Sequence, residues 1–146
     1  MVFDRLVARQ PSTFEYWLHA VNEMSVADQH HVEVRAGDVL CPIDFLAPDA
    51  LTFRQTNQYD PNPRERVKLR EWHLTATTPG KQRAMEFVTL FRPHRAEDAV
   101  PTQAKLDRVE GGYVLEAAVS DGSVVALLPT DDSATLPAEG IESTGA

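Results

Sequence analysis

Strict alternation of apolar and polar side chains is the pattern that most constrains this sequence. Between Thr13 and Val21, Phe14, Tyr16, Leu18 and Ala20 fall on one parity, while Thr13, Glu15, Trp17, His19 and Val21 fall on the other. A β-strand sends successive side chains to opposite faces, whereas an amphipathic helix repeats its apolar residues three and four positions apart. No segment carries that helical spacing. The predicted fold class is therefore all-β, an antiparallel β-sandwich of about ten short strands.

The punctuation between the alternating runs supports that reading. Val2 to Ala8 forms a first strand, closed by Gln10-Pro11-Ser12, and Thr13 to Val21 forms a second. Aromatics on both parities of the second strand predict that it is covered on both sides. His31 to Arg35 and Val39 to Leu46 read as a hairpin around Ala36-Gly37-Asp38, with Gly37 supplying the positive φ of a tight turn. Pro42 cannot donate a ladder hydrogen bond, which predicts an edge position or a bulge for the second strand of that pair. Further strands are expected over 51–59, 71–77 and 83–93, the last two joined by Thr78-Pro79-Gly80. Three shorter ones follow near 103–109, 112–119 and 123–129, linked by Gly111-Gly112 and Asp121-Gly122. Residues 1–129 are thus predicted to be the sandwich, and the small, polar and acidic stretch 130–146 a tail without packed structure.

Composition narrows the function classes. The chain has 146 residues and a formal net charge of −8. A folded chain of this length buries roughly 70% of its unfolded surface, enough for a core without staples. The single Cys41 excludes an internal disulfide framework. Residues 1–96 hold twelve acids and twelve bases, whereas 97–146 hold ten acids against Lys105 and Arg108. Nucleic-acid binding needs clustered Lys and Arg, so this balance argues against it. No apolar run is long enough to span a membrane, and the N-terminal residues carry no signal-peptide pattern.

Candidate chemistry is sparse. His19, His30, His31 and His73 stand at no zinc-motif spacing, and His30 and His31 would point to opposite faces of a strand; neither a metal site nor a cofactor is expected. Leu40, Pro42 and Ile43 surround Cys41 with apolar groups, which makes it a buried structural thiol rather than a nucleophile. No nucleophile elbow, phosphate-cradling loop or paired carboxylates mark a catalytic residue. Arg64, Arg66, Lys68 and Arg70 are the candidate substrate-binding set, since a spacing of two places all four on one face of a strand. A solvated connection damped by Glu65 and Glu71 accounts for the same charges. Trp17, Tyr16 and Trp72 are expected to be core aromatics rather than a sugar-stacking platform.

The run Phe3-Asp4-Arg5-Leu6, followed by Pro11-Ser12-Thr13-Phe14-Glu15-Tyr16-Trp17-Leu18-His19-Ala20, resembles a segment of heparinase II/III-like polysaccharide lyases. Gly37-Asp38-Val39, Phe45-Leu46-Ala47-Pro48, Leu51 to Pro61 and Trp72-His73-Leu74-Thr75-Ala76-Thr77 continue the likeness in the same order, over about residues 1–95. The resemblance implies a C-terminal β-sandwich portion, an incomplete part of a larger sandwich, of an enzyme that cleaves uronic-acid-containing polysaccharide by β-elimination. The family's catalytic tyrosine and histidine and its zinc ligands match no position of this sequence. His19 is read as a structural residue near the sandwich core.

The expected role is accordingly non-catalytic, scaffolding or lining a substrate groove. The alternative is a free-standing carbohydrate-binding or protein-interaction module. An acidic polysaccharide is the expected ligand. A missing N-terminal toroid domain, or a second copy at an exposed sheet edge, is the expected protein partner. The parent family is periplasmic or secreted.

Overall fold

The computed structural model describes residues 1–58, 71–138 and 141–144. All regular structure among them is β, in antiparallel sheets, as the alternation predicted. The chain divides into two compact units, Met1–Glu97 and Asp98–Ala146. The expected boundary between a sandwich over 1–129 and a tail over 130–146 falls within the second unit.

Among the described residues, the first unit contains nine strands: β1 (Val2–Ser12), β2 (Glu15–Ala20), β3 (Ser25–Val26), β4 (His31–Ala36), β5 (Val39–Ala47), β6 (Thr52–Thr56), β7 (Trp72–Thr77), β8 (Gln82–Phe91) and β9 (His94–Arg95). One sheet runs in the order β1-β8-β5-β4-β3, with β9 also pairing β5; the other is β2-β7-β6. Both sheets face one core. The smaller sheet contributes Tyr16, Leu18, Ala20, Phe53, Leu74 and Ala76, and the larger contributes Val32, Ile43, Phe45, Met85 and Phe87. Tyr16 meets Phe45 edge-on at a centroid distance of 5.5 Å and lies 5.6 Å from Phe87, while Phe45 lies 5.2 Å from Phe53. These contacts join the layers by interdigitated rings, the packing expected of a sandwich.

Two local predictions meet different outcomes. Gly37 adopts φ +61° between β4 and β5, as the hairpin required. Pro42 lies in an interior strand rather than at an edge, while the alternative, an irregularity in that strand, occurs in the pairing of β5 with β8 between Phe45 and Ala47. Pro42 pairs with Glu33 on one side, and on the other its carbonyl accepts a hydrogen bond from the Arg92 amide at 3.0 Å. Because N and C=O of a strand residue point the same way, the Pro42 nitrogen faces the interval between β8 and β9. The missing N–H therefore falls where no ladder partner needs it.

Side chains fasten the connections to the core. Gln55, on the inward parity of β6, accepts from the Met24 amide at 3.1 Å and donates to the Met24 carbonyl at 2.8 Å. The buried Thr78 hydroxyl accepts from the Phe14 amide at 3.0 Å, and the Thr78 amide donates to the Phe14 carbonyl, also at 3.0 Å. The Thr78–Phe14 bonds hold the approach to β2 and the exit from β7 in register, and the Gln55–Met24 bonds fasten the connection after β2 to β6.

In the second unit, β10 (Ala104–Val109), β11 (Gly112–Val119) and β12 (Gly122–Pro129) form a meander, and β13 (Thr135–Ala138) pairs with β14 (Ile141–Thr144). Within 130–146, where a tail without packed structure was expected, residues 135–138 and 141–144 pair as strands. The anchor there is apolar: Leu136 is fully buried and Ala134 nearly so, beside buried Tyr113, Leu115 and Leu128. Gly112 is the close-approach point. A Cβ there would lie 2.3 Å from the Leu128 carbonyl oxygen and 2.8 Å from Leu136 Cδ1, so a larger residue would displace both strands. The four strands beyond the anticipated ten are the shortest ones, β3 and β9 with two residues each and β13 and β14 with four.

Candidate functional site

Parity decides the outward face of β2-β7-β6. With Tyr16, Leu18, Leu74, Ala76 and Phe53 turned to the core, the opposite parity of all three strands faces away. Register then arranges the outward residues in three rows across the strands: Glu15, Thr77, Thr52; Trp17, Thr75, Arg54; and His19, His73, Thr56. Threonine suits these positions because its β-branched stem packs on the pleat while its hydroxyl remains available for hydrogen bonding.

Trp17 is the centre of this face. It is 50% exposed, which overturns the expectation that it belongs to the core. Its Nε1 donates to Glu15 Oε2 at 3.2 Å, and its ring lies 6.4 Å from the His19 ring at 23° and 5.6 Å from the His73 ring at 47°. A large apolar surface is thereby held in one orientation with half of it exposed. Tyr16 and Trp72, by contrast, pack against the core as expected.

Beside Trp17 the face is concave. A depression of about 620 Å³ lies over Thr75, bounded by Trp17, Arg54, His73, Thr52 and Pro79. That volume is in the usual range for a small-ligand site. Arg54 is exposed and makes no ion pair among the described residues. Two carboxylates contact outward residues of β2: Glu15 holds the Trp17 indole, and Glu71, which immediately precedes β7, has Oε1 3.3 Å from His19 Nδ1. His19 is therefore a half-exposed, carboxylate-paired residue of the outer face, not a residue near the core. The strand expected to be covered on both sides is covered on one.

The histidines approach one another through the same register. His19 and His73 are cross-strand partners with ring centroids 6.0 Å apart, a proximity that their spacing in the chain did not reveal. Among the described residues no group of three or more His, Cys, Asp or Glu side chains is arranged to hold a metal ion.

A second polar cluster is committed to structure. Asp28 accepts from the His30 amide at 2.7 Å, the His31 amide at 2.9 Å and His31 Nδ1 at 2.8 Å. These bonds, the His30 amide first, hold its carboxyl below the ordinary aspartate range. His31 Nε2 lies 3.5 Å from Asp44, which is buried against Arg92. Cys41 is half-buried, and burial pushes its thiol pKa up despite an opposing hydrogen bond from the Arg92 backbone. A neutral thiol is a poor nucleophile, consistent with the structural role expected for it.

Arg64, Arg66, Lys68 and Arg70, the substrate-binding set suggested by sequence, lie outside the described residues. The residues that sequence reasoning missed are Trp17, Thr75 and Arg54. The company of Trp17 was the available signal, since Glu15 and His19 share its parity and neither belongs in an apolar core. No protein-family model matches the chain, and no curated protein matches it. No helix of the described residues is long and apolar enough to cross a membrane.

Proposed function

We propose that this chain is the non-catalytic β-sandwich portion of a heparinase II/III-like polysaccharide lyase, serving as scaffold and as one wall of a glycan-contacting groove. The observation that supports the reading is the outward face of β2-β7-β6, a concave surface of hydroxyls around an oriented and half-exposed Trp17. A sugar ring offers apolar C–H faces and a rim of hydroxyls, so it is complementary to an indole flanked by hydrogen-bonding groups. In the parent reaction a base removes the proton at C5 of a uronate while an acid assists the leaving oxygen. Residues outside this chain would perform those steps, with the sandwich holding the polymer against them.

Affinity electrophoresis of the full chain through gels containing alginate, heparan sulfate or hyaluronan tests this role, with ultraviolet absorbance following any unsaturated uronate. Retardation by at least one polymer without formation of product is the expected result. Product formed by this chain alone would overturn the non-catalytic assignment, and migration unaffected by all three polymers would overturn the groove assignment.

A second reading is a free-standing carbohydrate-binding module. It is favoured by the first unit's ability to close a core between its two sheets from its own residues. A neighbouring gene encoding a helical toroid and the catalytic half of a sandwich would decide for the lyase portion.

A further inference from the structure

We infer that the depression on the β2-β7-β6 face binds a glycan across the strands, with one sugar ring stacked on Trp17 and an anionic substituent of its neighbour held by Arg54. This rests on the glycan-contacting role proposed above and adds the residues, the direction and the charge of the ligand.

Direction follows from register. Trp17, Thr75 and Arg54 form one row perpendicular to the strands. Adjacent strands lie about 4.8 Å apart, so the backbones carrying the indole and the guanidinium are separated by about 10 Å, with only a threonine between them. A chain lying along this row covers the depression and places successive units over Trp17 and then near Arg54. A chain lying along β2 would instead run over Glu15, Trp17 and His19 and bring no unit to Arg54.

Charge fixes the polarity of that arrangement. Glu15 on β2 is bonded to the indole, and Glu71, which immediately precedes β7, lies beside His19. Glu15 would repel an anionic group placed over Trp17, so the ring stacked there is one whose face, not its charge, is recognised. On β6, Arg54 presents planar donors suited to a carboxylate or sulfate, and its lack of an ion-pair partner among the described residues leaves that capacity unspent. Thr52 and Thr75 line the interval and supply hydroxyls to those of the sugar.

The test is titration calorimetry of the full chain with three oligosaccharides of equal length: one carboxylated, one sulfated on a neutral backbone, and one uncharged. Trp17→Ala is expected to weaken all three by about tenfold or more, because stacking does not depend on charge. Arg54→Gln is expected to weaken only the charged probes, by about tenfold, and to remove the salt sensitivity of their binding. The probe that loses more in Arg54→Gln identifies the anion as carboxylate or sulfate. Both side chains are exposed, and circular dichroism of each variant checks that the fold is kept.

Charged probes bound equally well by wild type and both variants would overturn this site while leaving the glycan-contacting role standing. Loss in Trp17→Ala with no change in Arg54→Gln would overturn the assignment of Arg54. Failure of the wild-type chain to bind any probe would overturn both the site and the role, and would leave this face to a protein partner.

Discussion

Arg92 and Asp44 form a buried ion pair that ties the residue following β8 to the interior strand β5. Their side chains are 13% and 7% exposed, and Arg92 Nε and Nη1 have no hydrogen-bond partner among the described residues. The carboxylate is thus the main compensation for a guanidinium withdrawn from water. Asp44→Ala is expected to cost about 3–5 kcal/mol, because it strands the cation, whereas the double variant Asp44→Leu/Arg92→Met recovers most of that loss. Urea unfolding of the three proteins measures it. A single variant within about 1 kcal/mol of wild type would mean that the pair behaves like an exposed one.

Phe87 is fully buried between the sheets, against Tyr16. Removing its ring leaves a cavity bounded by both layers, so Phe87→Ala should cost about 3–5 kcal/mol. Trp17→Ala removes a larger ring from the outer face and should change stability by no more than about 0.5 kcal/mol. Equal shifts of the urea midpoint in the two variants would contradict the assignment of one aromatic to the core and the other to the surface.

Asp28 gives the fold an acid-sensitive turn. Its carboxylate accepts three hydrogen bonds in the folded chain, and its pKa is depressed as a result. A depressed folded-state pKa contributes stability above the unfolded value, and that contribution is lost as pH falls through the folded one. Asp28→Asn should therefore be less stable than wild type at neutral pH. The difference should shrink as the solution is acidified below pH 3.8, the ordinary value for this group. Thermal melts of both proteins across that range follow the convergence; a constant difference would show that the carboxylate's charge is not involved.

The Cys41 thiol is raised by burial in the folded state. Alkylation by iodoacetamide at mildly alkaline pH should be slower in the folded chain than in urea, where the thiol regains its ordinary pKa. Equal rates would indicate an accessible thiolate in the native protein.

Much of this was legible in local pattern. The parity of β2 separated Tyr16, Leu18 and Ala20 from Glu15, Trp17 and His19 before any pairing was known, and Gly37 marked a real turn. The edge position expected for Pro42 was not realised because the rule for proline depends on what lies beside its nitrogen, and the interval between β8 and β9 is set by residues about fifty positions later. The pairing of β13 with β14 is not legible in a stretch whose composition is mostly small and acidic, where Leu136 is a single large apolar side chain among the described ones.

By itself the sequence determined the class of structure and which side chains travel together, because alternation is a property of the extended backbone and needs no partner to be read. Only the tertiary structure decided which parity is covered. A strand's two faces are equivalent until a second sheet packs on one of them. Here β8, β5 and β4 close over Tyr16 and Leu74, leaving Trp17, His73 and Arg54 on the outside. The grouping of those three residues arises from pairings between strands distant along the chain. Such pairings are selected by the fit of the whole core rather than by any local run of residues.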